Sequence, residues 1–276
     1  MRAALLQLTS SDDPSENLET LRAMLRRAAS DGAQIALTPE VSNCVSMDRA
    51  HQAEVLRSEA EDTVLAGLRD EAARLGLWVL AGSLALRSEP PETRFVNRSL
   101  LIDAAGGIVA RYDKMHMFDV QVDQTETYRE SSGYAPGSRA VVADTPFGRL
   151  GLTICYDLRF AYLYRALAQA GAQVLCVPSA FSPGTGPAHW EVLLRARAIE
   201  TGCYVLAPAQ TGTHAARSGR QRLTYGHSLA VAPWGAVIAD AGTAPGVTML
   251  DLDLAEVDKV RAKIPSLRHD RTFEGP

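Results

Sequence analysis

Apolar residues recur along this chain in two alternating rhythms. Short runs rich in Ala, Leu, Val and Ile predict strands at 3–8, 34–38, 78–86, 95–102, 108–112, 140–143, 149–154, 173–177, 203–208, 223–232, 236–240 and 246–252. Between them, spacings of three and four predict amphipathic helices. One follows Asp13-Pro14, an N-cap with a favoured first helical residue, and carries Leu18, Leu21, Met24, Leu25 and Ala28 on one face. A second, at 61–75, carries Val64, Leu65, Leu68, Ala72 and Leu75 and stops at Gly76. Further helices are expected at 160–170, 188–201 and 254–263. The strands at 95–102 and 108–112 are joined by DAAGG, a glycine-containing hairpin connection. Residues 88–94 form a polar loop, and 115–138 follow neither rhythm; a loop this long in a compact domain is functional or disordered.

Strands alternating with helices, with several hairpins among them, predict an α/β fold with mixed sheets. The 276 residues suffice for one large domain spanning 1–276, with 265–276 as a polar tail, and neither an internal repeat nor a linker divides them. Composition is that of a globular protein, 46% hydrophobic and 22% charged. A net charge of −4 with interspersed signs leaves no nucleic-acid footprint. Without a basic leader or an apolar run of membrane-spanning length, the expected location is the cytoplasm, away from membranes.

Chemistry enters at the ends of three apolar runs. Cys155, in RLGLTICYDLRF, stands where a buried strand gives way to a helix. A thiol on such a turn is rigidly held, with backbone N–H groups nearby for an oxyanion, that of Tyr156 first among them. Taken alone, Cys155 reads sooner as a small core hydrophobe, as most free cysteines are. Glu40 follows the run QIALTP and Lys114 follows IVARY; each alone reads as an ordinary charge at a strand end. Together they supply a base, a cation and a nucleophile at the edge where α/β sheets gather their sites. A free thiol titrates near about 8.5 and needs such a base, and desolvation is expected to raise the Glu40 pKa toward the working range. Cys44, Cys176 and Cys203 read as packing residues, and disulfides are not expected in a reducing compartment. Neither Cys-x-x-Cys nor a glycine-rich phosphate loop occurs, so no metal or nucleotide cofactor is implied. His116, His189 and His227 fall near the expected site, but the sequence around Cys155 lacks a papain-like context, and each histidine reads as a structural partner.

The set Glu40, Lys114 and Cys155 resembles the Glu–Lys–Cys triad of the nitrilase superfamily, the carbon–nitrogen hydrolases. The likeness runs from MRAALLQLTS to RHDRTF and is most specific at PEVSN, KMHMFD, CYDLRF and 178–202. That last block, with YGHSLAVAPWG, is similar to the branch holding deaminated-glutathione amidases and ω-amidases, the former more so. The resemblance implies a four-layer α-β-β-α sandwich, often paired with a second subunit across helical faces such as 188–201. It also implies a second glutamate on the 115–138 loop, Glu130 with Glu126 as its rival. Hydrolysis through a thioester follows from it, with a small anionic amide as substrate. Deaminated glutathione would release cysteinylglycine, whereas α-ketoglutaramate would release ammonia. For the substrate carboxylate Arg159 is the first candidate, with Phe181, Ser182 and Thr185 as pocket wall. One departure stands out: Ala161 and Tyr162 replace the Pro-Glu usual after CYDLRF. A non-catalytic scaffold keeping the fold is the alternative of another class, and the intact triad argues against it. A nitrile substrate is weaker still, because the context after the cysteine differs.

Overall fold

The computed structural model describes residues 1–122 and 127–275. Two mixed sheets pack face to face with helices outside, the layering expected of an α-β-β-α sandwich. The first sheet runs Gly246–Asp251, Arg2–Gln7, Ile35–Leu37, Trp78–Arg87, Phe95–Ile102, Ile108–Asp113. The second runs Val237–Asp240, Leu229–Val231, Tyr204–Ala207, Val174–Cys176, Gly148–Leu152, Val141–Thr145. Each has three parallel central strands flanked by antiparallel ones, so the two sheets share one plan that no sequence repeat betrays.

Strand alternation explains the layers. Ala3, Leu5, Ile35, Leu37 and Leu80 point into the core between the sheets, where they join Leu152, Val174 and Leu206. Ala4, Leu6, Ala36, Val79 and Ala81 point the other way, onto Leu21, Leu25, Leu65 and Leu68 of two helices. Burying one such leucine is worth about 1.5–3 kcal/mol. The first helix begins as its sequence predicts, and the second, expected from residue 61, begins at Thr63. Asp13 caps Pro14–Ser30 by accepting from the Ser15 N–H, and Asp62 caps Thr63–Leu75 by accepting from Leu65. Gly76 ends the second at φ +63°, a conformation that suits glycine.

Two expectations change, and one helix enters that no apolar pattern predicted. The run 223–232 divides into Leu223–Tyr225 and Leu229–Val231, because Gly226 and His227 both take positive φ and turn the chain between them. A helix at Arg49–Val55, capped by Asp48, carries His51 and Gln52 as its buried residues and so shows no apolar stripe. The helix expected at 188–201 begins earlier, as Gly186–Thr201, with Pro187 in its first turn. The tail lies on its own chain: Arg165 pairs with Asp270, and Gln169 donates to the Leu267 carbonyl at 3.0 Å.

Candidate active site

Lys114 reaches the same edge as Glu40 because two chain reversals separate their strands. Trp78–Arg87 runs parallel to Ile35–Leu37, Phe95–Ile102 runs back, and Ile108–Asp113 runs forward again. From the second sheet, the segments after Gly148–Leu152 and Val174–Cys176 bring in Cys155 and Ala180. These strand ends meet at a cavity of about 230 Å³ whose wall includes Glu40, Lys114, Glu130 and Cys155.

Glu40 is buried and takes three donors, which leaves Oε2 with room for one more. Its Oε1 accepts from Lys114 Nζ and from Asn97 Nδ2, each at 2.9 Å, and its Oε2 accepts from the Ala180 N–H at 2.8 Å. Lys114 Nζ also donates to both oxygens of Glu130 at 2.9 Å, and Glu130 Oε2 accepts from the Phe118 N–H at 2.6 Å. Of the two loop glutamates, Glu130 therefore meets the lysine, while Glu126 lies outside the described residues.

Cys155 opens a 3-10 helix, Cys155–Arg159, at φ +48°. Val41, beside Glu40, sits at φ +47°, a rarer state still for a β-branched residue. Backbone strain thus flanks both the carboxylate and the thiol, as it often does at functional sites. Val41 is held there by its N–H on Ser83 Oγ at 2.8 Å. The Cys155 N–H is spent on the Pro178 carbonyl at 3.0 Å. Tyr156, next in the first turn, has no acceptor within the helix for its own N–H by the pattern of helix starts. Asp157, fully buried, clamps this turn: it accepts from the Ile154 N–H (2.9 Å), the Tyr112 hydroxyl (2.6 Å), and the N–H and Nδ1 of His116 (3.1 and 2.6 Å). With Nδ1–H directed at the carboxylate, His116 Nε2 is left to accept the Tyr162 hydroxyl. Tyr162, one of the two residues departing from the family pattern, is thus tied to the turn that carries the thiol.

The electrostatics correct one expectation. Burial works to raise the Glu40 pKa, but the charges of Lys114 and Arg222, with hydrogen bonds from Lys114 and Cys155, outweigh it and hold the carboxyl below its ordinary value. Lys114 loses by burial and gains more from Glu130 and Glu40, so its pKa is raised. Burial, then the Glu40 charge, pushes the Cys155 thiol well above its usual value despite Lys114. The resting arrangement is a carboxylate, an ammonium and a neutral thiol. The thiol's proton must leave as the sulfur attacks, and the carboxylate whose charge helps hold the thiol protonated is the base placed to take it.

Tyr156, Phe181, Ser182 and Thr185 line the cavity. Arg159 stands outside this wall: its Nη2 meets His189 Nδ1 at 3.2 Å, and its guanidinium lies 5.9 Å from the Tyr156 and Phe181 rings. Its expected alternative partner, Asp157, is taken by the donors already named. The arginines in the wall are Arg49, Arg129 and Arg222. Cys44 reaches the wall too, with Sγ turned to the Asp12 carbonyl at 3.6 Å. His227 lies away from the triad, its Nδ1 on Asp240 at 3.0 Å. Among the described residues, no three His, Cys, Asp or Glu side chains are grouped to hold a metal, and no helix is long and apolar enough to cross a membrane.

The carbon–nitrogen hydrolase family model matches residues 2–262. The chain belongs to that family. Along 97% of its length this hydrolase is 41% identical to the deaminated glutathione amidase of Yersinia enterocolitica, covering 92% of that protein. In structure it is similar to the Caenorhabditis elegans NitFhit protein, with a TM-score of 0.89 and 37% identity. That match covers 98% of this chain but 65% of the other, which is longer. It also resembles an amidase from Nesterenkonia sp. AN1 in which acrylamide has added to the active-site cysteine, with a TM-score of 0.78, 28% identity, and coverage of 96% and 98%.

Two residues at the site escape motif reading. Asn97 sits in an apolar run but shares the inward face with Leu101, so its phase is the clue that it is buried for a reason. Gly82 looks like any strand glycine, yet a Cβ there would lie 1.8 Å from the Thr38 carbonyl oxygen and 2.5 Å from Pro178 Cβ. No sequence signal marks it.

Proposed function

We propose that this hydrolase cleaves the amide of deaminated glutathione through a Cys155 thioester, releasing cysteinylglycine. The reading is carried by one observation: the thiol shares with the Glu40–Lys114 pair a cavity whose described wall holds four cations and two carboxylates. Both carboxylates are bound to Lys114, so positive charge is left for an anionic substrate. The relative of that name, 41% identical, supports the same reading.

In the proposed sequence, Glu40 takes the thiol proton as sulfur attacks the amide carbon. Lys114 Nζ–H and the Tyr156 N–H hold the oxyanion. The two Glu130 oxygens lie equally far from Nζ, as for one shared N–H, which frees another. Glu40 returns its proton to the leaving nitrogen, and the amine departs. It then takes a proton from water, the hydroxide attacks the thioester, and the proton goes back to sulfur. Loss of one oxyanion donor typically costs about 3–4 kcal/mol of barrier.

The second subunit belongs to this proposal as well. Val192 and Ile199, 66% and 57% exposed on Gly186–Thr201, offer an apolar face to a second copy. Four unpaired cysteines suit a reducing, intracellular location.

The test is parallel hydrolysis of deaminated glutathione and α-ketoglutaramate, with Cys155→Ala as control. Cysteinylglycine release well above ammonia release, absent from the variant, is expected. The reverse order would make the enzyme an ω-amidase, and activity surviving in Cys155→Ala would remove the nucleophile.

A further inference from the structure

Arg222 has no part in the mechanism above, yet it stands one peptide group from it. Its Nη2 donates to the Ala180 carbonyl at 2.8 Å, and the N–H of the same residue donates to Glu40 Oε2 at 2.8 Å. The guanidinium lies 5.9 Å from the Tyr128 ring, at the boundary between the main cavity and an adjoining one of about 200 Å³ walled by Met47, Tyr128, Pro183 and Leu223. Arg222 Nε is buried and, among the described residues, has no hydrogen-bond partner. A buried donor without an acceptor is costly and calls for an explanation.

The other arginines of the wall are placed differently. Arg49 gives Nη1 to Gln52 Oε1 at 2.8 Å and lies over the Tyr134 ring. Arg129 is exposed and gives Nη1 to its neighbour's carbonyl at 3.0 Å. Arg222 is the half-buried one, anchored on the Ala180 carbonyl that adjoins Glu40 and left with its Nε unpaired among the described residues, and a guanidinium fixed in this way is suited to receiving a carboxylate. We propose that Arg222, rather than Arg159, holds a carboxylate of the substrate and sets the preference of this enzyme for anionic amides. This rests on the amide-hydrolase reading of the same cavity and names the residue that selects within it. Placement beside Ala180 gives the contact a second consequence. A carboxylate on Arg222 offsets a positive charge that acts on Glu40, so an anionic substrate leaves Glu40 a stronger base than a neutral one does.

The test is binding to the full-length Cys155→Ala protein, which cannot turn the ligand over, with and without Arg222→Gln. The ligands are deaminated glutathione and its two monomethyl esters, one at the keto-acid end and one at the glycine end. Loss of a charge-assisted pair predicts weakening of the parent compound by about 10–100-fold. One ester is expected to be weakened far less, so that the double-mutant cycle assigns the coupling to one carboxylate. Arg222→Lys should recover part of the affinity, and thermal melting checks that each variant is folded. Equal losses for all three ligands, or no loss, would overturn the proposal. If deaminated glutathione does not bind even with Arg222 intact, the assigned substrate is wrong, and glutarate replaces it as probe. Arg222→Gln must then weaken glutarate more than its monomethyl ester, and equal affinities would overturn the role of Arg222 on their own.

Discussion

Glu40 and Lys114 stand 74 residues apart in the chain and share a 2.9 Å hydrogen bond with both side chains almost fully buried. Their opposed charges set the pH behaviour of the site. Because the Glu40 pKa is depressed, its stabilising charge is complete above the ordinary carboxylate value of about 4.3 and is lost only as pH falls through the lower folded value. Because that of Lys114 is raised, its contribution is complete below about 10.4 and is lost as pH rises through the higher folded value. Neither group changes charge between about pH 6 and 9, so kcat/KM should show no inflection in the histidine range. A limb centred near about 6.5 would assign the base to a histidine instead.

Alkylation should find one thiol. Cys44, Cys176 and Cys203 are sealed at 1%, 0% and 0% exposure, while Cys155 faces the cavity at 7%. Intact-mass measurement after iodoacetamide treatment of the native protein is expected to show a single adduct, absent in Cys155→Ala. Since the Cys155 thiol is held protonated, the rate should climb with pH across the neutral range. A rate already at its plateau at pH 7 would show a preformed thiolate.

Asp157→Asn tests the clamp on the nucleophile turn. The carboxylate receives four donors, and an amide nitrogen in its place would face at least one of them. About 3 kcal/mol of stability should be lost, as for other buried charged hydrogen-bond centres. Urea unfolding measures it, and a loss under about 0.5 kcal/mol, the level of ordinary surface changes, would mean the clamp is dispensable.

Gly82→Ala should be as damaging as a substitution in the triad. Its methyl group would lie 1.8 Å from the carbonyl oxygen of Thr38, two residues before Glu40, and 2.5 Å from Pro178 on the other sheet. Backbone has to shift, at about 1–3 kcal/mol or more, and the Glu40 segment moves with it. Activity falling by at least about 100-fold is expected, since displacements near 1 Å carry that effect. Full activity with a lowered melting temperature would separate packing from site geometry.

The pattern along the chain determined a good deal. Strand runs such as 95–102 and the Asp13-Pro14 helix start are local statements, set by side-chain period and capping chemistry, and the structure reproduces both. Glu40, Lys114 and Cys155 could be singled out because each is a reactive group at the end of an apolar run. The Arg49–Val55 helix could not be read, because its buried residues His51 and Gln52 are polar and leave no hydrophobic period.

Tertiary structure alone decided how these groups behave. The Glu40 carboxyl pKa falls rather than rises because Lys114 and Arg222 come to it from distant strands and loops, and a sequence carries no distances. Arg159, four residues from the thiol, turns to His189, while Arg222, 67 positions further than Cys155 along the chain, enters the cavity wall. In the turn at Cys155 the next residue, Tyr156, lines the cavity and Asp157 is buried, while Arg159, at the far end of the turn, lies outside the wall. Sheet order and strand direction, which depend on long-range pairing, bring Glu40, Lys114 and Cys155 to one cavity.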